Sequence, residues 1–300
     1  MKASSRFPTM YDFFIAARAN IFAMERVTIT IDDNLLHRID RMVDGHFVKN
    51  RSHAIDLLLK KSLSMDSVRH AVILAGGNVE KLSLPSGKSI KPLLEVGGKP
   101  VIQRILEHLK VYGITSAMLC IGVHTEGLRE KITAIAPKAD LPSVEYVIEN
   151  GPGGSAGGLL LAKNSVHDTF LLSYADVLYE ELDISDMIRF HKANNAVCTL
   201  ALANVKDPKN YGVAKMRGSQ IIEFTEKPAS TSSYLVNAGV AICEPEIFDY
   251  VTSGVRSFER DLLPLVAAKE KLFGYVYSGT WFELGSQTQI DAAKKQFAQK

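Results

Sequence analysis

Short apolar runs recur near residues 71–75, 117–122, 144–148, 170–175 and 197–203, with helical stretches between several of them. Runs of that length read as buried strands, and strands alternating with helices predict an α/β fold with an open sheet of mainly parallel strands. The stretch before them follows another pattern. Arg26-Val27-Thr28-Ile29-Thr30-Ile31 alternates polar and apolar with period two, as a half-buried strand does. Asp32 and Asp33 offer an N-cap, and Leu35, Leu36, Ile39, Met42 and Val43 form a helical stripe ending at Gly45. Ser52 can cap a second helix with Ala54, Ile55, Leu58 and Leu59 turned inward. One strand and two helices in roughly forty residues cannot cover their own apolar faces. The strand also needs another strand to pair with. An intertwined homodimer with a two-stranded antiparallel ribbon satisfies both needs.

The chain is thus expected to divide into an extension over 1–23, a small domain over 24–63, a linker over 64–70 and a large domain over 71–300. The extension carries Lys2, Arg6 and an apolar patch at Phe13, Phe14 and Ile15, interrupted by Arg18. It lacks the long apolar centre and small-residue cleavage site of a signal peptide, so it reads as a poorly ordered extension, or as a start codon placed too early with Met24 as the true beginning.

Composition narrows the function classes. Lys plus Arg number 35 against 33 Asp plus Glu, a formal charge of +2, which argues against binding nucleic acid or an anionic membrane by bulk charge. With 46% apolar and 23% charged residues, a sizeable core can be buried. No apolar run approaches the ~20 residues of a membrane-spanning helix. Cys120, Cys198 and Cys243 sit singly in apolar stretches, which suits buried, inert thiols in a reducing, cytoplasmic compartment. The eight histidines are dispersed, so a zinc site is not expected.

Candidate chemistry begins at the first strand of the large domain. Ala71-Val72-Ile73-Leu74-Ala75 runs into Gly76-Gly77-Asn78-Val79-Glu80-Lys81-Leu82, then a loop of Pro, Gly, Ser and Lys, then Lys91-Pro92. Paired glycines let backbone amides approach phosphates, and Lys81, Lys88 and Lys91 add positive charge. A double glycine after a strand also serves tight turns, so this loop alone leaves both readings open. Downstream follow Glu149 to Leu159 (ENGPGGSAGGL), Ser173-Tyr174-Ala175-Asp176, Tyr211-Gly212-Val213, Glu226-Lys227-Pro228, Asn237-Ala238-Gly239 and Trp281-Phe282-Glu283-Leu284-Gly285. In this order the motifs resemble those of the sugar-1-phosphate nucleotidyltransferases, over about residues 71–293.

That resemblance implies a Rossmann-like domain with a substrate cleft outside the carboxyl ends of its strands. It implies transfer of a nucleotidyl group from a nucleoside triphosphate to a sugar-1-phosphate, with release of pyrophosphate and with Mg²⁺ as cofactor. Carried over residue by residue, Leu74, Ala75, Gly76, Gly77, Lys91, Glu149 and Gly154 would bind the nucleotide, and Lys81 and Asp176 would be catalytic. Asp176 and Glu283 would hold the metal, while Gly212, Glu226, Lys227 and Asn237 would bind the sugar phosphate. The sequence departs from the pattern at four places. Val79 replaces the third glycine of the phosphate loop and resists φ > 0. Lys81 replaces an arginine and loses its bidentate fork. Ala175 replaces a glycine, and Glu283 an aspartate. Glu149 stands where many members place a glutamine; a carboxylate only accepts hydrogen bonds, which suits the adjacent donors of guanine. GTP with a mannose-type phosphate is therefore favoured over UTP or dTTP with glucose-1-phosphate.

The small domain resembles the ribbon-helix-helix DNA-binding family. In that arrangement Arg26, Thr28 and Thr30 would enter the major groove, and the amides near Arg51 and Ser52 would meet a DNA phosphate. Seven Lys/Arg against six Asp/Glu over residues 24–63 give only +1, so DNA contact and simple dimerisation both stay open. Two functions are carried forward. One is an active transferase, a homodimer or higher even oligomer with no membrane association. The other is a transcriptional regulator whose diverged transferase domain senses a nucleotide sugar without turnover.

Overall fold

The computed structural model describes residues 28–43, 48, 50–62, 68–76, 82–85, 87, 89–122, 126–135, 139–149, 151 and 153–298. They fall into two units, one up to Ser62 and one from Leu63 onward. In the first unit, helix α1 (Asp33–Asp40) is capped by Asp32, whose Oδ1 accepts from the Leu35 amide at 3.0 Å. Helix α2 (Arg51–Ser62) starts one residue after Asn50, whose Oδ1 accepts from the His53 amide at 2.9 Å. The cap of α2 is thus Asn50, and Ser52, the expected cap, lies inside the first turn. α1 stops at Asp40, so Met42 and Val43 fall beyond it; Gly45 is outside the described residues. Ile39 and Ala54 are buried, whereas Ile29, Leu35, Met42 and Leu59 are exposed. Thr28 to Ile31, the described part of the expected strand, has no ladder in this single chain.

The second unit carries, in chain order, β1 (His70–Ala75), the short hairpin β2 (Glu95–Val96) and β3 (Lys99–Pro100), α3 (Val101–Val111), β4 (Ser116–Gly122), α4 (Glu126–Ile135), β5 (Ser143–Glu149), α5 (Gly154–Leu160), β6 (Phe170–Tyr174) and β7 (Val177–Leu178). Then come α6 (Ile184–Ala193), β8 (Cys198–Asn204), β9 (Gly212–Arg217), β10 (Gln220–Glu226), β11 (Leu235–Cys243), α7 (Leu263–Ala268), β12 (Leu272–Val276), β13 (Phe282–Glu283) and α8 (Gln287–Phe297). Nine strands form one sheet in the order β5-β4-β1-β6-β11-β8-β12-β10-β9.

The five apolar runs are β1, β4, β5, β6 and β8. In β1, β4, β6 and β8 the run follows from double-sided burial, whereas β5 is a partly exposed edge strand: Ala71, Ile73 and Ala75 join the core on one face of β1, Val72 and Leu74 the core on the other. α3 covers the first face with Ile102, Ile105, Leu106 and Leu109, each side chain contributing about 1.5–3 kcal/mol when fully buried. The sheet is mixed, not mainly parallel. β5, β4, β1 and β6 run parallel, but β11 is antiparallel to β6 and β8, and β10 to β12 and β9. The physical cause is the change of connection. Helices return the chain between the early strands, whereas β9 and β10 meet at a tight turn with Gly218 at φ 61°, which reverses direction.

Candidate active site

The carboxyl ends of β1, β5 and β6 open onto a cleft of about 790 Å³. Its floor is set by backbone hydrogen bonding. The Ala175 amide donates to the Leu74 carbonyl at 3.1 Å, continuing the β1–β6 ladder past β6, so that Asp176 arrives beside the loop that leaves β1. The two-stranded β7–β13 ladder places Glu283 opposite Val177, and the Leu284 amide donates to the Asp176 carbonyl at 3.0 Å. Two carboxylates more than a hundred positions apart in sequence therefore become neighbours. Burial, and then the charge of Asp176, push the Glu283 carboxyl up to about 7, against the pull of Lys91 and Lys227. The Lys91 ammonium, largely buried, lies 3.1 Å from Asp176 Oδ2.

One side wall comes from β9, β10 and β11. Gly212 pairs with Glu226, and a Cβ on Gly212 would lie 2.4 Å from Phe224 Cζ and 2.8 Å from Glu226 Oε2. Only glycine fits there. Lys227 takes a left-handed backbone at φ 49°, held by its amide bond to the Tyr211 carbonyl at 2.9 Å. Asn237 Oδ1 accepts from the Gly239 amide at 3.0 Å where the β11–β8 register shifts. Trp281 Nε1 donates to the Ala238 carbonyl at 2.8 Å, and its ring meets Tyr211 edge-on.

The opposite wall is the glycine-rich entry to α5. Glu149 ends β5 with its carboxylate tucked against Gly76 and Gly153: a Cβ on Gly76 would sit 2.5 Å from Glu149 Oε2. Gly154, at φ 67°, lets the chain pass under the Arg256 carbonyl, which accepts from the Ala156 amide at 3.0 Å. Cys120 also borders the cleft, but burial and the Glu149 charge push its thiol up to about 12, so it stays protonated. Along this wall, burial and the Glu259 carboxylate raise the Tyr174 phenol well above its ordinary value, and its hydroxyl donates to Glu259 Oε1.

A family profile described as "Nucleotidyl transferase" matches residues 70–300. The chain belongs to that family. A mannose-1-phosphate guanyltransferase of Yarrowia lipolytica is 31% identical over 219 residues, covering 71% of this chain and 60% of the relative. One from Schizosaccharomyces pombe is 30% identical over 221 residues, covering 72% and 60%. The chain thus spans about 60% of the length of these curated relatives. Among solved structures, HddC from Yersinia pseudotuberculosis complexed with GMP-PN shares the fold, with a TM-score of 0.64, 24% identity, and coverage of 77% of this chain and 100% of that one.

The fold brings most of the expected residues into one cleft: Leu74, Gly76, Lys91, Glu149, Gly154, Asp176, Gly212, Glu226, Lys227, Asn237 and Glu283 all line it. Ala75 does not; it is wholly buried in the core. Gly77, Val79 and Lys81 are outside the described residues, as is Arg26 in the first unit. Thr28, Thr30 and Ser52 are exposed. Arg51 forks onto Asp40, Nε to Oδ1 at 2.6 Å and Nη2 to Oδ2 at 2.8 Å, so its side chain braces α1 against α2. The sequence reading missed Ser155, Tyr174, Ser257 and Glu259, which also border the cleft. Ser155 and Tyr174 lie inside the motifs at 149–159 and 173–176 but carry no role there, and the signal at the other two is the Ser257-x-x-x-Asp261 spacing, which fits a capped turn. The amides of Arg256 and Ser257 do donate to Asp261 Oδ2, at 2.9 and 2.8 Å.

Proposed function

We propose that this chain transfers the guanylyl group of GTP to a mannose-type sugar-1-phosphate and releases pyrophosphate. One observation carries the reading: Asp176 and Glu283 stand side by side on the floor of a cleft whose wall presents Glu226, Lys227 and Asn237. The names of the two curated relatives, and a carboxylate at Glu149 that only accepts hydrogen bonds, support the choice of base and sugar.

A phosphate oxygen of the sugar-1-phosphate attacks the α-phosphorus, the bond to the β-phosphate breaks, and pyrophosphate leaves. Such a displacement needs positioning and neutralised charge more than a protein nucleophile. Lys227 balances the charge of the sugar phosphate, Glu226 and Asn237 take sugar hydroxyls, and Gly212 leaves room for the ring. Lys91, with Lys81 and the Gly76 and Gly77 amides, holds the triphosphate. Burial first, and then the Asp176 charge, raise the Glu283 carboxyl, and such a pair of oxygen donors fits Mg²⁺, which binds through one or two carboxylates plus substrate phosphates. Held by Asp176 and Glu283, the ion would supply Lewis-acid neutralisation of phosphate charge.

For the first unit we propose homodimerisation in a ribbon-helix-helix arrangement, supported by the exposure of Ile29, Leu35, Met42 and Leu59. Exposed Thr28 and Thr30 would then be the DNA-reading positions of a regulator. The test of the main reading is pyrophosphate release from GTP and mannose-1-phosphate with Mg²⁺. Wild type should release it and Asp176→Ala should lose at least ~100-fold of the rate. An unaltered rate in Asp176→Ala overturns the assignment.

A further inference from the structure

A polar cluster along the nucleotide-side wall of the cleft takes no part in the chemistry above. Its hub is the Glu259 carboxylate. Ser155 Oγ donates to Glu259 Oε2 at 3.2 Å, Ser257 Oγ donates to the same oxygen at 3.3 Å, and the Tyr174 hydroxyl donates to Oε1. Ser155 Oγ in turn accepts from the Phe258 amide at 2.9 Å. The three donors come from three places in the fold. Ser155 is in the first turn of α5, Tyr174 is the last residue of β6, two before Asp176, and Ser257 caps a π-helical turn over Phe258–Leu262. α5 reads GSAGGLL, and a glycine-rich helix has little stability of its own and few side chains with which to dock. Burial of Ala156 and Leu159 docks one face of it, the hydrogen bonds of Ser155 to Glu259 and Phe258 fix its first turn, and a π-turn is a frequent feature of functional sites.

We propose that Glu259 is a positioning residue, acting through Tyr174 and Ser155. It locks the loop that faces the nucleotide and the strand end that carries Asp176 into one wall, so that nucleotide and acceptor meet in line. The proposal rests on the transfer reading given above. A misplacement of about 1 Å at the reacting centre costs ~100-fold in rate. Loss of the lock should therefore appear in kcat, while binding of the acceptor, which depends on the far wall, is retained.

The experiment uses the full chain with GTP, mannose-1-phosphate and Mg²⁺. It compares Glu259→Gln, Tyr174→Phe, the double variant, and Thr169→Ala, which removes an equivalent hydroxyl–carboxylate bond, Thr169 to Glu244 at 2.9 Å, elsewhere in the sheet. Each of the first two should lower kcat ~10–100-fold and leave the KM for mannose-1-phosphate within about twofold. The double variant should be no worse than the worse single, because the two residues act as a unit. Thr169→Ala should lower the melting temperature comparably and keep its kcat. An unchanged kcat in Glu259→Gln overturns the proposal, and so does an equal loss in Thr169→Ala. If wild type turns over neither substrate, the transfer reading fails and amide hydrogen exchange without substrates decides the lock separately. Faster exchange in both 154–160 and 174–178 of Glu259→Gln supports it, and unchanged protection overturns it.

Discussion

Glu283 gives the account a stability signature that needs no substrate. Its carboxyl stands at about 7 in the folded protein, against an ordinary 4.5, because of burial and the neighbouring Asp176 charge. Below the lower value it is protonated in both folded and unfolded chains. Between the two values the unfolded chain has lost a proton that the folded protein keeps, so stability falls as pH rises through that window. Above the higher value both forms are ionised and the loss is complete. A rise from 4.5 to about 7 corresponds to about 3 kcal/mol. Glu283→Gln keeps the shape and removes the titration. Urea unfolding in chelator, followed by the emission of Trp281, the single tryptophan, measures the difference. From about pH 5 to about pH 8, wild type should lose about 2.5 kcal/mol more than the variant, the rest having gone below pH 5. Mg²⁺ should restore wild type at the upper pH and do less for Glu283→Gln, since a ligand stabilises the state that binds it. Parallel pH dependences for the two proteins would refute the crowding of Asp176 and Glu283.

Two further outcomes are expected. Gly212→Ala must fit a methyl group 2.4 Å from Phe224 Cζ, so it should cost ~1–3 kcal/mol in thermal or urea unfolding and raise the KM for the sugar phosphate. Removal of residues 1–62 should convert a dimer to a monomer in sedimentation while pyrophosphate release persists; a dimer of unchanged strength would place the self-contact in the larger unit.

Periodicity made the parallel half of the sheet legible, because strands buried on both faces leave unbroken apolar runs such as Ala71–Ala75 and Ala117–Ile121. It did not reveal that the sheet is mixed. β9 and β10 carry exposed residues at alternate or irregular positions, as in Lys215, Arg217, Ile222 and Glu223, so their apolar signal is broken, and strand direction leaves no trace in composition. The cap of α2 was misplaced because Asn50 and Ser52 are both good cap residues two positions apart, and only backbone geometry separates them. Most cleft residues were legible because each sits in a short local motif. Ala75 was not distinguishable from its neighbours: it belongs to the same motif, but the alternation of the strand turns it into the core. The Glu259 cluster was invisible for the opposite reason. Ser155 and Tyr174 sit inside two of the motifs, but nothing local ties either to Glu259, and the three are joined only when α5, β6 and the π-turn converge. The pairing of Lys91 with Asp176 likewise spans 85 positions and has no local signature.

The central claim is the chemistry of the cleft, and the most direct measurement is product identity. The full chain is incubated with Mg²⁺ and each pairing of GTP, UTP, dTTP, ATP and CTP with mannose-1-phosphate and glucose-1-phosphate, and nucleotide sugars are identified by mass spectrometry alongside pyrophosphate. The account predicts stoichiometric GDP-sugar and pyrophosphate, fastest with mannose-1-phosphate and lost in Asp176→Ala. Binding of GDP-mannose without formation of any nucleotide sugar from any pairing would contradict it and leave a sensor in place of an enzyme.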